Sequence, residues 1–109
     1  MANRKMRDAT YENASIDTAP GVGGYYTTAV KALLKHGALI MSIRGTWAGT
    51  VTLQFRPKGD TAWTAYSTTW TANARQLIED SSDCEWRVGV ANGDYTSGTI
   101  RLGIEYTRY

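Results

Sequence analysis

The alternation of apolar and polar side chains after residue 50 constrains the fold of this chain more than any other feature. Between positions 51 and 56 every second residue is apolar and the intervening residues are polar. A repeat of two is typical of a strand with one face in a core and the other in water. Just before this run, Gly45 and Gly49 flank Trp47. Residues 45–55 therefore predict two strands that meet at a glycine-flanked corner of a compact antiparallel β-domain.

The same alternation recurs in short segments along the rest of the chain, separated by turn-forming residues. The segments are 38–44, 51–56, 63–66, 75–79, 84–90 and 100–106. Six or seven strands at a spacing of roughly 10–12 residues are typical of an antiparallel sandwich or a small barrel. We predict an all-β fold, an antiparallel β-sandwich that is either immunoglobulin-like or jelly-roll-like.

Residues 25–36 fit two kinds of secondary structure. Ala29, Val30, Leu33 and Leu34 suit one face of a helix that Gly37 could cap. Alternate residues of the same segment are also compatible with a strand, and its start is rich in β-formers. We favour a strand that leads into a hairpin, with the helix as the alternative.

Residues 1–24 are polar and end in a loop sequence rich in glycine. At 109 residues the chain is long enough for one domain. We predict an extended N-terminal arm over residues 1–24 and a β-sandwich domain over 25–109. The arm is expected to order against a neighbouring subunit, with disorder as the alternative. Its candidate partner contacts are Arg4, Lys5, Arg7, Tyr11 and Ile16.

Charge and hydropathy exclude several kinds of partner. The net charge is +2, and three of the twelve basic residues lie in the first seven positions, which favours a solvated tail over a nucleic-acid arm. No apolar run approaches the ~18 residues of a membrane span. The first residues contain no apolar signal region, so we expect a protein made in a cytoplasm. We expect neither a nucleic-acid nor a membrane partner.

Residues suited to catalysis are few. His36 is the sole histidine and lies beside a predicted turn, and the sole cysteine, Cys84, falls on the inward face of a strand. A buried thiol is inert, and one cysteine allows no intrachain disulfide. The acidic residues between 79 and 85 lack the spacing of an EF-hand and suit a surface loop. We predict no enzymatic activity, no cofactor and no metal site.

The aromatic residues offer a further candidate surface. Trp86 shares a face with apolar neighbours and suits the core, whereas Trp63 follows a turn and could close the end of the sandwich. Trp47 and Trp70 lie in connecting segments. Because aromatic residues are enriched at the centres of protein interfaces, we expect Trp47 and Trp70 to contact the core edge or a partner subunit. A platform for stacking sugar rings is the alternative for Trp47, Trp63 and Trp70.

A series of turns and aromatic residues resembles a group of small virion proteins of tailed phages. The matching segments are 45–54, the turn from Gly59 to Trp63, residues 70–73, an acidic stretch, and 86–99 with its Gly-Asp-Tyr-Thr-Ser-Gly-Thr sequence. The resemblance covers about residues 38–106 and leaves residues 1–37 uncovered. It departs at residues 55–58, where such proteins more often carry a Ser-x-Asp-Gly hairpin.

This resemblance implies a structural component of a phage particle. Small β-sandwich phage proteins with an N-terminal arm are often capsid decoration proteins, which sit as trimers on the head and clasp neighbouring coat subunits. The expected partner is then the major capsid protein, and the expected location is the virion. A tail-side adaptor or fibre component is the alternative within the same group. A carbohydrate-binding module for host attachment is the alternative of another class.

Overall fold

The computed structural model describes residues 9–33, 37–78 and 83–108. These residues form nine β-strands and no helix, which confirms the all-β prediction. The strands are β1 (Ala9–Ile16), β2 (Tyr25–Tyr26), β3 (Val30–Leu33), β4 (Gly37–Gly49), β5 (Val51–Pro57), β6 (Thr64–Trp70), β7 (Ala74–Ile78), β8 (Asp83–Val90) and β9 (Tyr95–Arg108).

The strands form two antiparallel sheets that pack as a sandwich. The first sheet has the order β1-β9-β4-β7. The second sheet has the order β2-β8-β5-β6, and β3 also pairs with β8. Since β2 and β3 pair with successive parts of β8, they act as one interrupted edge strand. The predicted β-sandwich is therefore confirmed.

The connections decide between the two predicted kinds of sandwich. Within the described ranges, the chain changes sheet at almost every connection, and β5 and β6 are the neighbours in sequence that pair in the same sheet. An immunoglobulin-like sandwich instead places several consecutive strands side by side. A chain that alternates between two four-stranded layers has the topology of a jelly roll. The architecture is jelly-roll-like.

The core lies between the sheets and is built from alternate residues of each central strand. Strand β4 is buried at Leu39, Met41 and Ile43, and β8 is buried at Trp86 and Val88. The rings of Phe55 and Tyr66 lie 5.3 and 6.0 Å from the Trp86 ring. Trp86 is therefore a core residue, as its position in the alternation predicts.

Residues 45–49 differ from the predicted corner. Strand β4 continues through Gly45 and Trp47 to Gly49, and the chain crosses to the second sheet at Thr50. Gly45 has a φ of 111°, and Gly98, which lies opposite Trp47 on β9, has a φ of 89°. These positive φ angles let the two strands stay paired where a side chain would collide with the neighbouring backbone. Gly45 and Gly98 thus extend the ladder between β4 and β9. The corner lies at Thr50, after the end of β4.

The ambiguous segment is extended rather than helical. Residues 25–26 and 30–33 are strands, and between them the Thr27 backbone N–H donates to the carbonyl of Val88 at 2.8 Å. The strand prediction is confirmed there, while residues 34–36, including His36, lie outside the described residues. Pairing with β8 satisfies the backbone groups that a helix would have satisfied internally. The predicted turn after β5 is also confirmed, because Asp60 N–H donates to the Pro57 carbonyl.

The predicted N-terminal arm is wrong over residues 9–16. These residues form β1 and pair with β9 in register from Ala9 opposite Thr107 to Ile16 opposite Ile100. Ala14 and Ile16 are buried in the chain's own core. The alternation in this segment depends on two inward apolar residues, Ala14 and Ile16, and alanine is small. The sequence of the segment therefore does not by itself indicate a strand. The sandwich therefore begins before residue 25, and residues 1–8 lie outside the described residues.

Replacing Ile16 by alanine should destabilise the sandwich. Ile16 is 3 % exposed, and shortening a buried isoleucine to alanine typically costs ~2–5 kcal/mol in the free energy of unfolding. Urea unfolding followed by circular dichroism measures the loss. The control is Ser15→Ala, since Ser15 is exposed on the opposite face of the same strand. Equal stability of the two variants would show that residues 9–16 are not part of the folded core.

Replacing Gly98 by alanine should also destabilise the fold. An added Cβ would meet the Thr46 carbonyl and lie 2.6 Å from the Trp47 Cα, at a φ that L-residues rarely adopt. We expect a loss of about 2–4 kcal/mol in the free energy of unfolding, since strained backbone positions cost ~1–3 kcal/mol before any collision. The control is Gly21→Ala, where an added Cβ meets no heavy atom within 4 Å. A Gly98→Ala variant as stable as Gly21→Ala would contradict this account.

Candidate functional site

The outer face of the first sheet carries a row of three apolar side chains and one glutamate, one residue from each of the four strands. The cross-strand register aligns Tyr11, Glu105, Ile40 and Leu77. Tyr11 is 61 % exposed and Leu77 is 47 % exposed, while Ile40 and Glu105 are half-buried. Neighbouring strands lie about 4.8 Å apart, so the row is ~15 Å long. We call it the apolar row.

Arginines occupy the same face beside the apolar row. Arg44 lies directly opposite Arg101 in the register of β4 and β9, and Arg75 lies opposite Ser42 in the next pair of strands. All three arginines are exposed. Arg44 follows buried Ile43, and Arg101 lies between buried Ile100 and Leu102, so the ladder holds these two side chains on the outer surface. This face therefore combines apolar area with positive charge.

The outer face of the second sheet carries a stack of aromatic rings and guanidinium groups. The Arg87 guanidinium carbon lies 4.2 Å from the Tyr26 ring centroid and 4.3 Å from that of Trp63. The Arg56 guanidinium carbon lies 4.5 Å from the same Trp63 ring. Such contacts attract a cation to the ring face. We call these four side chains the cation–aromatic stack.

Hydrogen bonds hold the cation–aromatic stack in place. Arg56 Nε and Nη2 donate to Glu85 Oε1 at 3.0 and 2.5 Å, and Arg87 Nε donates to Gln54 Oε1 at 2.8 Å. Gly89 lets the Tyr26 ring pack closely against β8, because a Cβ there would lie 2.5 Å from the tyrosine ring. Both arginines thus have polar partners within the chain, and Trp63 fixes the β5–β6 hairpin to the sheet.

Burial also shifts the ionisation of two members of the stack. It raises the pKa of the Tyr26 phenol, an effect that positive Arg87 partly offsets and Asp94 reinforces. It lowers the pKa of the Arg87 guanidinium, which Tyr26 opposes and Arg56 reinforces. Both shifts disfavour the charged form of a partly desolvated group. The stack is therefore a packed cluster of partly dehydrated groups.

Trp47 and Trp70 pack on the edges of the core. Trp47 Nε1 donates to Asn73 Oδ1 at 2.7 Å, and Asn73 Nδ2 donates to the Gly45 carbonyl at 2.9 Å. Trp70 stacks on Tyr66 with ring centroids 6.4 Å apart. Both tryptophans are half-buried against the core. These contacts match the core-edge placement expected for them.

The structure separates the other predicted contact residues. Tyr11 is on the exposed apolar row, whereas Ile16 faces the core of its own chain and is not available to a partner. Arg4, Lys5 and Arg7 lie outside the described residues. Trp63 lies against two arginines on the outer face of the second sheet, so the expectation that it closes the end of the sandwich is wrong.

The residues that share a face with Tyr11 come from other strands and were not among the predicted contacts. They are Ile40, Ser42, Arg44, Arg75, Leu77 and Arg101. The sequence does contain a signal for Ile40 and Leu77. Each is a large apolar residue at a position that the alternation assigns to the solvent-facing side of its strand. Their meeting in one row depends on the order of the strands, which no local pattern contains.

The described residues offer little for chemical catalysis. Among them, no three His, Cys, Asp or Glu side chains are placed to hold a metal ion. Cys84 is 3 % exposed, which confirms its predicted burial. The same ranges contain no helix long and apolar enough to cross a membrane. The exposed apolar and arginine side chains of the first sheet make its outer face the candidate site.

Comparison with known proteins identifies no family. No family model and no curated protein matches the sequence. A solved chain from Bacillus endospore appendages, described as a novel family of disulfide-linked pili, is similar over 100 % of this chain and 96 % of its own. The identity is 16 % and the TM-score is 0.47. A likeness of this degree does not identify a shared function.

Replacing Trp63 by alanine should destabilise the sandwich by removing the centre of the cation–aromatic stack. Two cation–π contacts and part of the ring's burial are lost, which together correspond to about 1–3 kcal/mol in the free energy of unfolding. Urea unfolding followed by circular dichroism measures this change. Lys58→Ala in the same hairpin is the control, because Lys58 is exposed. A loss no larger than that of the control would show that the stack does not hold the hairpin.

Proposed function

We propose that this chain is a structural protein of a multisubunit particle and, more specifically, a capsid decoration protein of a tailed phage. It would bind the major capsid protein through the outer face of the first sheet and stabilise the head by bridging coat subunits. The observation that carries the proposal is the apolar row, with Tyr11 and Leu77 exposed at its two ends. Apolar side chains left exposed on one sheet face favour contact with another protein.

The rigidity of the surface supports this role. The apolar row is held by four strands of one sheet, so little conformational entropy is lost when a partner covers it. Each contact can be weak, because a decoration protein that forms a trimer binds several coat subunits at once. The second and third contacts are then intramolecular, and the overall affinity exceeds that of a single contact. We include the homotrimer in the proposal.

The phage assignment rests on the sequence resemblance over residues 38–106. Several of its segments are strands or turns that position the two outer faces, including the Asn92–Gly93 turn that begins β9. A tail-side adaptor or fibre is the alternative within that group. The carbohydrate-binding alternative has weaker support, since arginines lie over the Trp63 ring and Tyr66 stacks on Trp70.

Particles purified from a culture that carries the gene test the proposal. Quantitative mass spectrometry should find hundreds of copies of this chain per particle, and antibody labelling in electron micrographs should place them on the head. A handful of copies at the tail would favour the adaptor or fibre alternative. Absence of the chain from purified particles would overturn the proposal.

Rebinding to particles stripped of this protein tests the apolar row itself. A Tyr11→Ser, Leu77→Ser variant should bind at least about tenfold more weakly, since the two side chains lose most of the apolar area they would bury. The matched control is Val22→Ser, Tyr25→Ser, which removes two exposed apolar side chains outside the row. Equal weakening of both variants would show that the row is not the contact surface. Binding is measured by cosedimentation.

A further inference from the structure

The arginines of the first sheet stand in an arrangement that is unfavourable for the isolated chain. Arg44 and Arg101 are directly opposite each other, and like charges in that position destabilise a sheet. On the far side of Arg101 the register places Ser15, which carries no charge. Arg75 adds a third positive charge on the same face. The local repulsion is thus part of the folded structure.

No carboxylate of the described residues balances these charges. In residues 9–33, 37–78 and 83–108 the ion pair is that of Arg56 with Glu85, on the other sheet. Glu105 shares the face of Arg101 but lies four residues further along β9, ~13 Å away at the rise of an extended strand. Asp17, just after β1, forms no ion pair with either Arg44 or Arg101. The positive charge is left for a group from outside the described chain.

The two arginines also line a concave site. A notch of about 430 Å³ lies on this face, and its lining residues are Asn13, Ala14, Ser15, Arg44, Arg101 and Leu102. Two residues beyond Arg101 on β9, Gly103 lies between Asn13 of β1 and Ser42 of β4. A Cβ there would lie 2.8 Å from Ser42 Oγ and 3.1 Å from Asn13 Oδ1. Because Gly103 has no side chain, the surface beside the arginines is recessed there. The hydroxyl of Ser42 and the amide of Asn13 border this recess.

We propose that the notch between β1, β9 and β4 binds carboxylate groups presented by an acidic surface of a partner protein. A guanidinium group presents two parallel N–H donors that match the two oxygens of a carboxylate. Ser15 and Asn13 can donate further hydrogen bonds to the same oxygens. A carboxylate bound between Arg44 and Arg101 would offset their repulsion. The notch therefore binds an anion more strongly than either arginine would alone.

The surroundings of the notch favour a protein partner over a nucleic acid. The apolar row on the same face suits the mixed apolar and polar surface of a protein. Glu105 within that row would repel a phosphate backbone. This inference rests on the proposed function for the partner's identity. The notch adds the partner's chemistry to the proposed function: an acidic patch next to an apolar one.

A peptide of alternating glutamate pairs and leucines, added to the full chain, provides the test. Isothermal titration calorimetry at low salt should show binding of this peptide to the unmodified protein. Replacing both arginines, Arg44→Gln with Arg101→Gln, should weaken binding at least about tenfold, because two charge-assisted contacts are lost. Lys31→Gln with Lys58→Gln is the matched control. It removes the same charge from exposed positions outside the first sheet.

Thermal unfolding provides a readout that does not depend on calorimetry. Without peptide, the Arg44→Gln, Arg101→Gln variant should be at least as stable as the unmodified protein, since the repulsion is gone. Saturating peptide should raise the Tm of the unmodified protein and leave that of the arginine variant nearly unchanged. This comparison also shows that the variant is folded.

The remaining outcomes tell failure of the notch apart from failure of the proposed function. Failure of the unmodified protein to bind the peptide, or equal weakening in the lysine control, would show that the notch is not a carboxylate site. If inorganic phosphate or a single-stranded oligonucleotide bound more tightly than the peptide, the inference that the partner is a protein would be wrong. Particle binding that fails while peptide binding persists would refute only the proposed function. The reverse pattern would refute only the notch.

Discussion

The antiparallel ladder between β4 and β9 fixes which side chains of the first sheet face the core. It runs from Gly37 opposite Arg108 to Gly49 opposite Tyr95, and it joins the two central strands of the first sheet. Because side chains alternate along each strand, this register decides which residues enter the core and which face solvent. A slip of β4 by one residue against β9 would bury Arg44 and expose Ile43. The buried apolar residues therefore hold the outer surface in place.

The two outer faces of the sandwich use arginine in opposite ways. On the second sheet, Arg56 and Arg87 have aromatic and hydrogen-bonding partners within the chain. On the first sheet, Arg44 and Arg101 face each other with no described carboxylate between them. Arginine thus has partners within the chain on one face and lies opposite a like charge on the other. This contrast is why we propose the first sheet as the binding surface.

Much of the fold could be predicted from local patterns. The alternation in β4, β5, β8 and β9 and the glycine-containing turns predict an antiparallel sandwich, and the structure confirms it. Strand β1 escaped prediction because its inward positions include Ala14, whose side chain is too small to make the alternation plain. The predicted corner at Gly45 was wrong, since a positive φ allows either a turn or continued pairing. Only the neighbouring strand β9 decides which of these occurs.

The candidate site was less predictable than the fold. Tyr11 was identified as a contact residue, but for a free arm, whereas Ile40, Leu77 and Arg101 come from three other strands. Strands with one apolar face follow from local sequence, because a repeat of two is a property of neighbouring residues. The jelly-roll order of these strands, which brings the apolar row and the arginines onto one surface, does not. That outcome depends on strand order and register, which are set by contacts between residues far apart in the chain.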